Sequence, residues 1–95
     1  MTNTITQTPS ELLDYDIDWA ARGLGIDTIA TSTWSQDSTD YTISNTSHTD
    51  TMTTFWLTHG DPGTTYFITN TITTVGGQTM QETIAYTCVA QRFIR

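Results

Sequence analysis

The stretch Thr51–Val89, TMTTFWLTHGDPGTTYFITNTITTVGGQTMQETIAYTCV, decides the fold. It reads as three consecutive strands. Thr51–Leu57 is a β-branched and aromatic run ended by the breakers His59-Gly60-Asp61-Pro62-Gly63. Thr64–Val75 follows, Gly76-Gly77 supplies positive φ for a two-residue hairpin turn, and Gln78–Val89 returns. In the second run Tyr66, Ile68, Asn70 and Ile72 fall on one side, with Phe67, Thr69, Thr71, Thr73 and Val75 on the other. In the third, Met80, Ile84, Tyr86 and Cys88 share a face interrupted by Glu82. Such a meander, with a tyrosine three residues after Gly63, reads as the closing half of an immunoglobulin-like sandwich. There the hydroxyl of Tyr66 would reach back to upstream backbone and fix the corner.

Working outward, Met52, Thr54 and Trp56 alternate with Thr53, Phe55 and Leu57, so both faces of Thr51–Thr58 carry apolar groups. That predicts a central strand, or one with a face covered by a partner. Leu13, Tyr15, Ile17 and Trp19 alternate strictly with Asp14, Asp16 and Asp18, the pattern of a half-buried strand. Ala20–Gly25 follows as a loop or a single helical turn. Ile26–Trp34 is a strand with Ile26, Ala30 and Trp34 on one face and Ile29 on the other; Tyr41–Ser44 is a short one, joined onward by Asn45–Asp50. Thr2–Thr8 is an edge strand or a flexible arm, ended by Pro9. The reading is all-β, an immunoglobulin-like β-sandwich of about seven strands. Residues 1–10 form an extended N-terminal arm and 11–95 the sandwich domain.

Length and composition bound the rest. A chain of 95 residues makes one domain with one modest core. Threonine supplies 24 of them; a mucin-like stretch is the other source of such a composition, but it needs more proline than Pro9 and Pro62. Alternation of the threonines with Ile, Tyr, Phe, Trp and Val selects a folded sheet. There is no lysine, Arg22, Arg92 and Arg95 are the only arginines, and the formal net charge is −7. Nucleic-acid backbones and anionic membranes both require clustered cations, so neither is expected as a partner. Negative charge also keeps exposed strands from self-association. Cys88, the only cysteine, rules out an intramolecular disulfide and reads as a buried thiol. Met1–Ser10 has no cationic start and no apolar stretch, so no signal peptide is expected and synthesis is placed in a reducing cytoplasm.

No catalytic constellation stands out, and the reading is non-enzymatic, with no catalytic, cofactor-binding or metal-binding residues and no cofactor. Asp14, Asp16 and Asp18 superficially suggest a calcium loop, but the sixth and twelfth positions from Asp14 are Trp19 and Gly25, where such a loop needs Gly and Glu. The run reads instead as the charged outer face of an edge strand. His48 with Asp50, and His59 with Asp61, sit in turns with nothing to make them converge on a metal. Trp19, Trp34, Trp56, Phe55 and Phe67 are many rings for a small core; three are assigned inward, and Phe55 and Phe67 are the first candidates for an exposed apolar patch.

Leu13–Trp19, Asp27–Trp34, Gly63–Tyr66 and Thr69–Thr74, in this order and spacing, resemble the fiber–tail adaptor proteins of tailed phages. The resemblance spans roughly Glu11 to Val89, and departs in the threonine-rich opening arm and the Arg92–Arg95 ending. It implies a bacteriophage virion structural protein of the neck or tail, made in the host cytoplasm, that attaches fibers to the tail or head–tail connector. It implies as partners other virion proteins, tail or connector and fiber subunits, with multiple symmetric copies in the particle. The family offers no catalytic residues. Met1–Ser10 would then order on a neighbour during assembly. A capsid decoration or cement protein on the phage head is the alternative of the same class, and a carbohydrate-binding β-sandwich module the alternative from another.

Overall fold

Period-two alternation of β-branched and aromatic side chains with threonine carries the described residues through seven strands. The computed structural model describes residues 3–91; Met1, Thr2 and the Arg92–Arg95 ending lie outside the described residues. The strands are β1 Asn3–Gln7, β2 Leu12–Asp18, β3 Ile29–Gln36, β4 Tyr41–His48, β5 Met52–His59, β6 Thr65–Thr74 and β7 Thr79–Cys88. Four form one sheet in the order β1-β7-β6-β3, and three form a second in the order β2-β5-β4. Only β1, on β7, pairs in parallel; the other pairings are antiparallel. Of the two readings of Thr2–Thr8, Asn3–Gln7 takes the edge strand.

The two sheets close on each other through their inner faces. Ile17, Tyr41, Phe55 and Leu57 of the smaller sheet share one core with Ile68, Ile72, Ile84, Tyr86 and Cys88 of the larger. Phe55, Leu57, Ile68 and Ile72 are completely buried, each stabilising the fold by about 1.5–3 kcal/mol. The inward set expected on β6 is the observed one, and Thr74 extends it. Ile84, Tyr86 and Cys88 turn inward on β7 as expected, with Cys88 a buried free thiol.

Asn70 sits fully buried among these apolar neighbours because its amide is completely partnered. Its Oδ1 accepts from Thr53 Oγ1 at 2.7 Å and from Trp19 Nε1 at 3.2 Å. Its Nδ2 donates to Ser32 Oγ and to Thr33 O, both at 2.9 Å. The amide thus ties β6 to β3 in its own sheet and to β5 and Trp19 across the core.

Several local expectations are corrected. Trp19 does not prolong β2; it opens a single 3-10 turn, Trp19–Arg22, capped by Asp18, whose side chain accepts from Ala20 N at 3.1 Å. On β3 the buried residue is Ile29, while Ile26 is outside the strand and fully exposed and Ala30 is exposed. A register shift between Ile29 and Thr31 reverses the alternation, so Ile29 and Trp34 both face the core despite their odd spacing. β4 runs on to His48 across a second irregularity between Ser44 and Ser47, where Asn45 takes φ 48°. The β6–β7 turn is also longer than two residues. Gly77 N bonds Thr74 O at 3.0 Å, Thr74 N bonds Gln78 O at 2.8 Å, and only Gly77 has positive φ. Gly76 is required for space instead: a Cβ there would lie 2.6 Å from Asp27 Oδ2.

Candidate docking surfaces

Because each strand turns alternate residues outward, the two sheets expose one broad face apiece, and the faces differ in chemistry. On the larger sheet the strand registers assemble transverse rows. Thr31 lies beside Thr73 and Thr79, Thr33 beside Thr71 and Gln81, and Ser35 beside Thr69 and Thr83. Further along, Phe67 lies beside Ala85 and Thr4, and Thr65 beside Thr87 and Thr6. No charged residue stands in any of these rows. Hydroxyls bridge neighbouring strands at Thr31–Thr73, Thr69–Thr83 and Thr65–Thr87, and Gln81 Nε2 donates to Thr71 Oγ1. Such pairs contribute about 0.2–1 kcal/mol each and hold the face as a rigid, neutral array of methyls and hydroxyls. Phe67, half exposed, is its one large apolar group, as the sequence led us to expect.

The smaller sheet presents the opposite character. Asp14, Asp16 and Asp18 project outward from β2, an edge strand, at intervals of about 7 Å. β5 is the central strand that its two-sided apolarity predicted, and Trp56 occupies the middle of its outer side. The register sets Trp56 between Asp14 of β2 and Ser44 of β4. Asp16 accepts from Thr54 Oγ1 at 2.7 Å, and exposed Leu12 ends the row. Arg22 is turned away at the end of the sandwich, its Nη1 donating to Asp18 O at 2.9 Å and its Nε 3.5 Å from Glu82 Oε1. A half-buried indole next to a row of carboxylates suits a cationic group, which gains both the ring face and the negative field.

Phe55 is not part of a surface patch. It is completely buried, with Trp34 at 4.5 Å and Tyr15 at 5.6 Å between ring centroids. Trp56 takes the outward position instead. Apolar residues on both sides of β5 hid its parity, which becomes legible only when Trp56 is set in register with outward Asp14.

At one end of the sandwich three core tyrosines converge on turn residues. The Tyr66 ring lies 4.7 Å from that of Tyr41 and 5.7 Å from that of Tyr86. Tyr66 Oη accepts from Asp61 N at 2.9 Å, the expected reach back to upstream backbone, and donates to Asp40 Oδ2 at 3.0 Å. Tyr41 Oη donates to Asp37 Oδ1 at 3.0 Å, and Tyr86 Oη to His59 O at 2.6 Å. Burial raises all three phenols above their ordinary value; hydrogen bonding to Asp37 raises Tyr41 further. At the other end, the Thr74 hydroxyl and then the Thr28 and Gly76 amides hold the Asp27 carboxyl below its usual range. These contacts brace turns and bring no reactive pair together.

The two His-x-Asp pairs do not converge. His48 opposes Thr53 and His59 opposes Tyr41, at opposite ends of the β4–β5 ladder, and both histidines are exposed. Among the described residues no three His, Cys, Asp or Glu side chains gather as a metal site would require.

The fold and these surfaces define a small all-β sandwich whose distinctive chemistry lies on two broad outer faces. No protein of curated function matches the sequence. Residues 7–87 match the family described as podophage GP4 fiber-tail adaptor protein gp77, and the chain belongs to that family. Membership carries a structural role in the phage tail, within the virion and in contact with other virion proteins.

Proposed function

We propose that this chain joins fibers to the tail or head–tail connector by meeting a different neighbour on each sheet face. The observation that carries the reading is the contrast between an uncharged threonine array on β1-β7-β6-β3 and an aspartate row with central Trp56 on β2-β5-β4. A bridging protein needs two surfaces that do not compete for one partner. A neutral face selects a neutral, shape-matched surface, and an acidic one selects basic groups and repels acidic ones. The sandwich acts by contact and not by catalysis, and stands in several symmetric copies around the tail. We also read it as immunoglobulin-like, a view supported by the placing of β2, β5 and β4 opposite β3, β6 and β7 and by the Tyr66 corner. Residues 1–10 belong to this proposal as an extended segment leading into the 11–95 domain, with Asn3–Gln7 laid on β7.

Complementation tests it. Phage lacking the chain would be supplied with the Thr71→Lys/Thr83→Lys variant, altering the neutral face, or with Asp14→Asn/Asp16→Asn/Trp56→Ala, altering the acidic one. Each should abolish a different contact: one variant leaves particles without this protein, the other leaves the protein in place without fibers. If both variants support wild-type fiber numbers, the two-face reading fails.

A further inference from the structure

Among the described residues four strands have an open edge, and three of them carry features that discourage pairing with another chain. β1 is five residues long and is soon followed by Pro9. β2 carries three aspartates, and β4 is broken between Ser44 and Ser47. The fourth, β3, reads IATSTWSQ, eight residues with no charge and no proline. Its single irregularity lies between Ile29 and Thr31; from Thr31 to Gln36 it keeps an unbroken register with β6. A long, regular, uncharged edge of β-branched residues is a template for another strand, the feature that solitary sheet proteins suppress.

We propose that β3 is a strand-addition site and that its occupant is β3 of a second copy of this chain. Charge argues for that occupant. A basic partner is drawn to the aspartate face, whereas another copy, also at −7, is repelled from it. Over residues 30–36 β3 carries no charge, so two copies can pair there with no carboxylate inside the paired segment, and an uncharged strand is its own complement. Two-fold antiparallel pairing satisfies both edges at once and yields an isologous interface. Matching the inward and outward sides of both sheets requires residues of the same side to oppose each other, so the axis falls on a residue. The centre of the outward set Thr31, Thr33, Ser35 is Thr33, which places Thr33 opposite Thr33 and Thr31 opposite Ser35. The two larger sheets become one, and the neutral threonine face doubles in width. The second strand also lies beside Trp34, which a single chain leaves partly exposed on this edge.

Sedimentation equilibrium of the full chain over a wide concentration range tests this. The wild type should rise from 10.6 kDa toward twice that mass. Thr33→Lys and Thr33→Glu each set like charges opposite one another and should weaken association at least about tenfold. An equimolar mixture of the two variants should restore the dimer, an outcome that unfolded variants could not give. Wild type that stays monomeric throughout, variants that dimerise undiminished, or a mixture that stays monomeric would each overturn the proposal.

Discussion

Replacing Asn70 with leucine asks what holds the two sheets in their mutual position. The branched outline is kept, a larger side chain must be fitted into a fully buried position, and four hydrogen bonds are lost. Trp19 Nε1 retains a partner, since it also donates to Thr53 Oγ1 at 3.1 Å. Ser32 is partly exposed and can turn to solvent. The hydroxyl proton of Thr53, fully buried, loses its acceptor, and the Thr33 carbonyl loses the amide donor. The carbonyl of Thr33, an exposed residue, can turn to solvent. The enclosed Thr53 hydroxyl left without its acceptor costs about 1–3 kcal/mol, and fitting the larger leucine costs about 1–3 kcal/mol more. The extra apolar surface of leucine offsets about 1–2 kcal/mol of that. The net expectation is a loss of about 2–4 kcal/mol. For a domain of this size that lowers Tm by about 10–25 °C. Thr53→Val is the internal comparison: Trp19 keeps Asn70 Oδ1, and the cost should be only about 1 kcal/mol. Equilibrium urea unfolding of both variants, followed by far-UV circular dichroism, reads these differences. An Asn70→Leu protein as stable as wild type, or less damaged than Thr53→Val, would refute the claim that this amide pins the sheets together.

Gly60 and Gly25 separate crowding from backbone strain. At Gly60, with φ +131°, an added Cβ would lie 2.8 Å from Tyr86 Oη, whereas Gly25, with φ +69°, has nothing within 4 Å. Gly60→Ala should cost about 3 kcal/mol or more, and Gly25→Ala about 1 kcal/mol, by the same urea titration. Raised phenol values for Tyr41, Tyr66 and Tyr86 mean that the fold favours their neutral forms. Their contribution is therefore complete below the ordinary tyrosine value of 10.0 and is lost as pH climbs beyond it. Absorbance at 295 nm should show these phenols ionising together with alkaline unfolding; their ionisation near pH 10 in a still-folded protein would contradict the burial argument. Asp27 has the opposite sign, its support for the β6–β7 turn fading only as pH falls below the ordinary value of 3.8. The Gly76 amide resonance should titrate below that value, and a midpoint at or above it would exclude the hydrogen bonds as its anchor.

Where alternation is strict, structure was legible from the residues. Tyr66, Ile68, Asn70 and Ile72 on β6, and the aspartates of β2, took their expected sides because nothing interrupts the period of two. β3 defeated the same reasoning because one irregularity after Ile29 shifts parity, and no residue there announces it. Phe55 and Trp56 were exchanged for a related reason: with apolar groups on both sides of β5, only pairing to Asp14 decides which ring faces out. The hairpin glycines marked a turn but not its length, since Gly76 is there to admit the Asp27 carboxylate. The threonine face was half visible, as the outward set of β6. Its breadth depends on β3, β6, β7 and β1 being neighbours, a long-range fact that local spacing does not encode. The partners of Asn70 were hidden likewise, lying 17 to 51 residues away along the chain.

The most direct test of the two-faced adaptor is a cryo-electron-microscopy map of the intact virion in which this chain can be traced. The account predicts density in the tail, with the threonine face and the Trp56 face each covered by a different protein, one of them leading to a fiber. Density on the head lattice, or a tail position in which either face is bare, would contradict it.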